Sequence, residues 1–162
     1  MPYTVKTTGM EEVSRMLTEL EQAAQGAASA GLYEGAGVMA DAVSRAVHGI
    51  ATEPFKYATG GRMRKPSPEE KAILEAAPKG VAKFNKNGTE TDTSVGLARS
   101  GYAQLAGKTK PIPKIANAIN SGTSFMQKQP FFRQAVSQNQ QRAQNAIENE
   151  IRERLEKITS KI

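Results

Sequence analysis

The last third of the chain constrains the fold most. After Val136 the apolar residues Ala143, Ile147, Ile151, Leu155, Ile158 and Ile162 recur at steps of four and three, which gathers them into one buried stripe of an α-helix. The remaining faces are polar. Glu148 with Arg152, Glu150 with Arg154 and Glu153 with Lys157 are acid-first pairs four apart, each contributing about 0.2–0.5 kcal/mol on an exposed helix. Pro130 marks the start, because its missing N–H costs nothing in a first turn and its φ is already helical. The spacing predicts a C-terminal helix over about 130–160.

Ahead of that helix, Ile115, Ala116, Ala118 and Ile119 read as a strand that ends at a Gly122-Thr123 turn. The run Ile119-Asn120-Ser121-Gly122-Thr123, followed by Gln129-Pro130-Phe131-Phe132-Arg133-Gln134-Ala135, resembles the small neck and tail-completion (head-tail joining) proteins of long-tailed bacteriophages. The resemblance extends to an N-terminal strand, the helices after it and the middle segment, and so covers most of the chain. It departs from the family at Asn120-Ser121, where an acidic residue is common, and at Gln134, where a second proline is common. The resemblance implies a structural virion protein, assembled in the host cytoplasm and placed at the tail or neck as a ring of identical copies. It implies other neck and tail proteins as partners, with DNA in the channel as a further candidate, and no cofactor or small-molecule substrate.

With 162 residues and 17.4 kDa, one domain over 1–162 is expected, with a modest core. Hydrophobic residues are 38% of the chain, aromatics only 6%, and tryptophan is absent, so the core is light and association is a natural way to complete burial. There is no cysteine, which excludes a disulfide framework, thiolate chemistry and Cys-based metal sites. Residues 1–5 carry no apolar signal core and no run approaches the ~20 apolar residues of a bilayer span, so a soluble, cytosolic chain is expected.

The net charge of +6 is unevenly placed. Residues 1–55 carry 3 basic and 7 acidic groups, 56–114 carry 12 and 5, and 115–162 carry 7 and 4, so the segments stand at −4, +7 and +3. Charge alone does not choose among nucleic acid, an acidic protein surface and solvent as the partner of the basic middle.

Tyr3, Val5 and Thr7 alternate with polar residues as in a short half-buried strand. Thr8 and Glu11 then form a possible capping box for a helix along Met10, Val13, Met16, Leu17 and Leu20 that runs to about Gln22. Gly26 predicts a break, and Leu32, Ala36, Met39, Val43, Val47 and Ile50 predict a second helix. Its small residues Gly31, Gly35 and Gly37 allow close approach by helix one, the C-terminal helix or a neighbouring subunit. Gly35-Ala36-Gly37-Val38-Met39-Ala40 matches a dinucleotide fingerprint, but no strand precedes it to aim a pyrophosphate at a helix N-terminus. His48 lies too far along the helix from Asp41 to form a base and orienter pair.

Residues 51–66 read as a long basic loop containing Arg62, Arg64 and Lys65; loops of this length are commonly functional. Ser67-Pro68-Glu69-Glu70 opens a short helix ending by Pro78, with serine as N-cap and acids in the first turn. Val81–Phe84 and Thr91–Leu97 flank Asn87-Gly88, a strong hairpin-turn dipeptide because both residues tolerate positive φ. Residues 102–113 read as a loop carrying Lys108 and Lys110.

The expected fold is therefore α+β: a small, mainly antiparallel sheet packed against two long helices, with long surface loops. Arg62, Arg64, Lys65, Lys108 and Lys110 are the expected contacts to a neighbouring ring or to DNA. Pro130, Phe131 and Phe132 are expected to anchor the last helix to the sheet. The rival reading is a basic nucleic-acid-binding protein acting through phosphate contacts, whose affinity falls steeply with salt. An enzyme is the weakest reading, because Glu34, Asp41 and Glu53 have no evident catalytic partner.

Overall fold

The structure, a computed structural model, describes residues 10–54, 62–77, 79–81, 85–87, 90–92, 95–97 and 101–160. The expected strand near Tyr3, the capping residue Thr8, Gly88 of the hairpin turn and residues 55–61 of the long loop lie outside them. Where the sequence predicts two helices there is one of 39 residues, α1 (Met10–His48). Gly26 weakens a helix by about 1 kcal/mol relative to alanine, but Ala23, Ala24, Ala27 and Ala28 surround it and carry the helix across. Glu11 and Glu12 in the first turn and Arg45 in the last complement the helix dipole. The Lys71 amino group donates to the His48 carbonyl at 2.7 Å, which satisfies one of the carbonyls left over at that end.

The short helix α2 (Pro68–Ala76) forms as its sequence predicts, with a capping box in which Ser67 Oγ accepts from Glu70 N–H and the Glu70 carboxylate accepts from Ser67 N–H. The expected hairpin follows as two antiparallel ladders, β1 (Lys79–Val81) with β4 (Val95–Leu97), and β2 (Asn85–Asn87) with β3 (Glu90–Asp92). Asn87 faces Glu90 across the tip.

Two segments depart from expectation. Residues 102–111, read as a loop, form a second hairpin, β5 (Tyr102–Leu105) with β6 (Lys108–Pro111). Its turn is Ala106-Gly107 with φ of 50° and 73°, both positive as the type I′ two-residue hairpin loop requires. Residues 115–119, read as a strand, belong to a helix, α3 (Ile112–Ser121). Ile112, Ile115, Ala116 and Ile119 are spaced at i, i+3, i+4 and i+7, and Pro113 sits in the first turn where proline is tolerated. Gly122, at φ 76° and ψ 169°, is the C-cap of α3 and not the end of a strand.

The last helix, α4 (Phe131–Thr159), starts one residue later than predicted, with Pro130 in the cap position. It packs along α1. A Cβ on Gly31 would lie 2.7 Å from Ile151 Cγ1 and 2.9 Å from the Ile147 carbonyl oxygen, and one on Gly35 would lie 2.5 Å from Ile147 Cγ1 and 3.1 Å from the Ala143 carbonyl oxygen. Two glycines thus set the spacing of an antiparallel helix pair. Gly35 belongs to this seam, which accounts for the fingerprint-like sequence around it; Gly37 faces open space.

The α+β expectation is therefore corrected. The described residues are mostly helical, with two long helices packed on each other and only two-stranded ladders beside them. The main core sits at one end, the head, where Val43, Val47 and Ile50 meet Leu74, Leu105, Ile115, Ile119, Met126, Phe131 and Ala135. Phe131 enters this core and Phe132 packs against it, so the pair anchors α4 to a mainly helical core, to which β5 contributes Leu105, and not to the face of a sheet. Away from this core α1 and α4 run side by side, and β1, β3 and β4 also pack on α1; the N-terminal end of α1 is the stalk.

Candidate functional site

The stretch from Ile119 to Phe132, singled out in the sequence, is the hub of the head. Gly122 turns the chain out of α3, and Thr123 Oγ1 accepts from Met126 N–H at 3.1 Å. Main-chain bonds Arg64 N–H to Phe125 O and Gln127 N–H to Arg64 O, at 2.9 and 2.8 Å, make a parallel bridge between Arg64 and Met126. The Gln129 side chain closes on Ala51 in both directions, donating to its carbonyl at 2.8 Å and accepting from its N–H at 3.0 Å. Pro130 supplies no side-chain cap, and Asn120 Oδ1 instead accepts from Phe132 N–H at 3.2 Å. The end of α1, the 62–66 segment, α3 and α4 therefore all converge here.

The five predicted contact cations do not share one environment. Arg62, Lys108 and Lys110 are exposed and Lys65 is half-buried. Arg64 is committed to the interior: its two terminal nitrogens each lie 2.7 Å from an oxygen of Glu70, with 10% and 4% of the two side chains exposed. Hydrogen bonding to Glu70, the largest influence, raises the Arg64 guanidinium above its ordinary value despite burial. For Glu70, burial is the largest single influence and pushes the carboxyl up. The opposing effects of the Arg64 hydrogen bond, the Ser67 N–H and the charges of Arg64 and Lys110 together hold it below its ordinary value.

Arg64, Glu70, Lys110 and Lys114 line one cleft of about 360 Å³ with Phe125 and Met126. The structure thus brings Arg64 and Lys110 together. Arg62, Lys65 and Lys108 do not line this cleft.

A second cationic surface was not predicted. A groove of about 610 Å³ along the seam between the end of α1 and the start of α4 is lined by Arg45, Lys128 and Arg142, with no carboxylate among its lining residues. Its floor includes Ala42, Ile50 and Phe131. Sequence spacing links none of the three cations, because they come from α1, the 122–130 turn and α4, and only the antiparallel pairing of the helices assembles them. His48 is the last residue of α1, and its Nδ1 lies 2.9 Å from Glu75 Oε1.

Among the described residues, no helix is long and apolar enough to cross a membrane, and no group of three or more His, Asp or Glu side chains is placed to hold a metal. No protein-family model matches the chain, and no curated protein or solved structure is significantly similar to it.

Proposed function

We propose that this chain is a structural virion protein at the neck of a phage or phage-like tail, completing the tail or joining it to the head connector as a ring of identical copies. The reading rests on the resemblance carried by Gly122-Thr123 and Pro130 to Ala135, and one structural observation supports it. The apolar face of α1 runs on past the end of its partner helix, leaving Met10, Val13 and Leu17 at 68%, 53% and 61% exposure. Contiguous exposed apolar surface of this kind marks interaction sites, and a light-cored chain gains burial from neighbours. The hub around Gly122 and Gln129 ties the ends of α1, α3 and α4 together, while the start of α1 extends beyond the end of α4.

The commitment of Arg64 to Glu70 weakens the rival reading as a phosphate-contact protein, because it removes one of the five cations from solvent. The test is genetic. Deleting the coding sequence from the tail-producing genome that carries it leaves, on this reading, heads and tails that fail to join or tails of uncontrolled ends, seen by negative stain. Intact infectious particles from the deletion would overturn it.

A further inference from the structure

The uncovered part of α1 has a definite extent. Gly35 lies against Ala143 and Ile147 and Gly31 against Ile147 and Ile151; continuing four residues for four, Thr159 at the end of α4 falls opposite about residue 23, leaving ~20 Å of α1 beyond it at 1.5 Å per residue. Exposure follows that geometry: Ala27 is 2% exposed, Leu20 39% and Leu17 61%. Met10, Val13, Leu17 and Leu20 recur at three, four and three, in line with Gly31 and Gly35 on the face that α4 covers. The stripe is thus the continuation of an existing helix–helix interface with no helix on it.

Charge selects what covers it. Residues 10–22 carry Glu11, Glu12, Glu19 and Glu21 against Arg15 alone, so two such segments laid side by side would set acid against acid. The groove of the head has the opposite character, with Arg45, Lys128 and Arg142 around Ala42, Ile50 and Phe131 and no carboxylate. Resting on the many-copy reading above, we propose that the acidic amphipathic start of α1 in one copy docks into the Arg45–Arg142 groove of the next. It would do so as an amphipathic helix laid in a groove with i, i+3, i+4 and i+7 anchors. The contact is head-to-tail, and such contacts close into rings when the rotation per step permits.

Two blocked chains test it. Leu17→Glu blocks the stalk and leaves the groove; the double variant Arg45→Glu with Arg142→Glu blocks the groove and leaves the stalk. All three residues are exposed, and helix content by circular dichroism checks that both variants fold; Met10→Glu, at a side chain 68% exposed, is a second stalk block. Each variant alone is expected to sediment at the 17.4 kDa chain mass, with the concentration for half-association raised about tenfold or more. Mixed, they are expected to form a 1:1 pair of twice that mass and stop there, because one free stalk meets one free groove. Self-association by the groove variant, or no pairing on mixing, overturns the proposal. Rings that persist in Leu17→Glu also overturn it while leaving the neck reading intact, and a wild-type chain that never associates with itself overturns both.

Discussion

Arg64 and Glu70 lie side by side in the head, each terminal guanidinium nitrogen 2.7 Å from its own carboxylate oxygen, and Glu70 also accepts the Ser67 N–H at the start of α2. The Arg64 main chain is bridged in turn to Met126. One ion pair therefore joins the start of a helix to the turn that launches α4. Removing one partner of a buried pair leaves the other charge uncompensated, which costs about 3–5 kcal/mol. Arg64→Ala is expected to lose that much in urea unfolding, and Arg64→Lys to recover only part, since an ammonium cannot match the bidentate fork. A loss below about 1 kcal/mol for Arg64→Ala would place the pair among the weak surface bridges.

The same pair sets a pH dependence. Glu70 is held below its ordinary value in the folded chain, so the unfolded chain binds the proton more readily. Its contribution is fully present above the unfolded carboxylate pKa of about 4.3 and is lost as pH falls through the lower folded value. Urea midpoints taken from about pH 7 down to about pH 3 should fall more steeply for the wild type than for Glu70→Gln. Parallel profiles would contradict the assignment.

The two glycine environments in α1 predict opposite signs. A methyl at Gly26 meets nothing within 4 Å, so Gly26→Ala should stabilise by about 0.5–1 kcal/mol through helix propensity. A methyl at Gly31 falls 2.9 Å from the Ile147 carbonyl oxygen on α4, so Gly31→Ala must push the helices apart and should destabilise by about 1–3 kcal/mol. Thermal melts of the two variants, read beside the wild type, decide it; equal shifts would mean that the seam is not set by glycine.

Gly122 is the third backbone test. Its φ of 76° with ψ of 169° is a region essentially reserved for glycine, and a Cβ there would sit 3.1 Å from Lys128 N. Gly122→Ala should cost about 1–3 kcal/mol, measured by urea unfolding. Ser121→Ala, one residue earlier and exposed, should be close to neutral.

The helices were legible where their period was long and unbroken. The stripe from Ala143 to Leu155 and the capping sequence Ser67-Pro68-Glu69-Glu70 gave the right elements; Asn87-Gly88 pointed to a hairpin in this stretch, although Asn87 is a strand residue paired with Glu90 and not a turn residue. What failed was local. Ile115 to Ile119 is too short to separate a strand from a helix by its apolar residues, and only the inclusion of Ile112 shows the helical spacing. Ala106-Gly107 lacks the Asn or Asp that announces a tight turn, so the second hairpin was invisible. Gly26 does not break α1, since one glycine among alanines does not end a helix. Of the cationic sites, Arg64 is legible as a charge but its partner is not, because the sequence around Glu70 already accounts for it as part of a helix start. The Arg45, Lys128 and Arg142 groove exists only once α1 and α4 are laid antiparallel.

The central claim is that this chain is built to be tiled with copies of itself, and its mass in solution tests that most directly. Sedimentation equilibrium of the wild type over a wide concentration range should give a species at a whole-number multiple of the 17.4 kDa chain, falling toward one chain only on dilution. A single species at 17.4 kDa up to the highest concentration reached would contradict it.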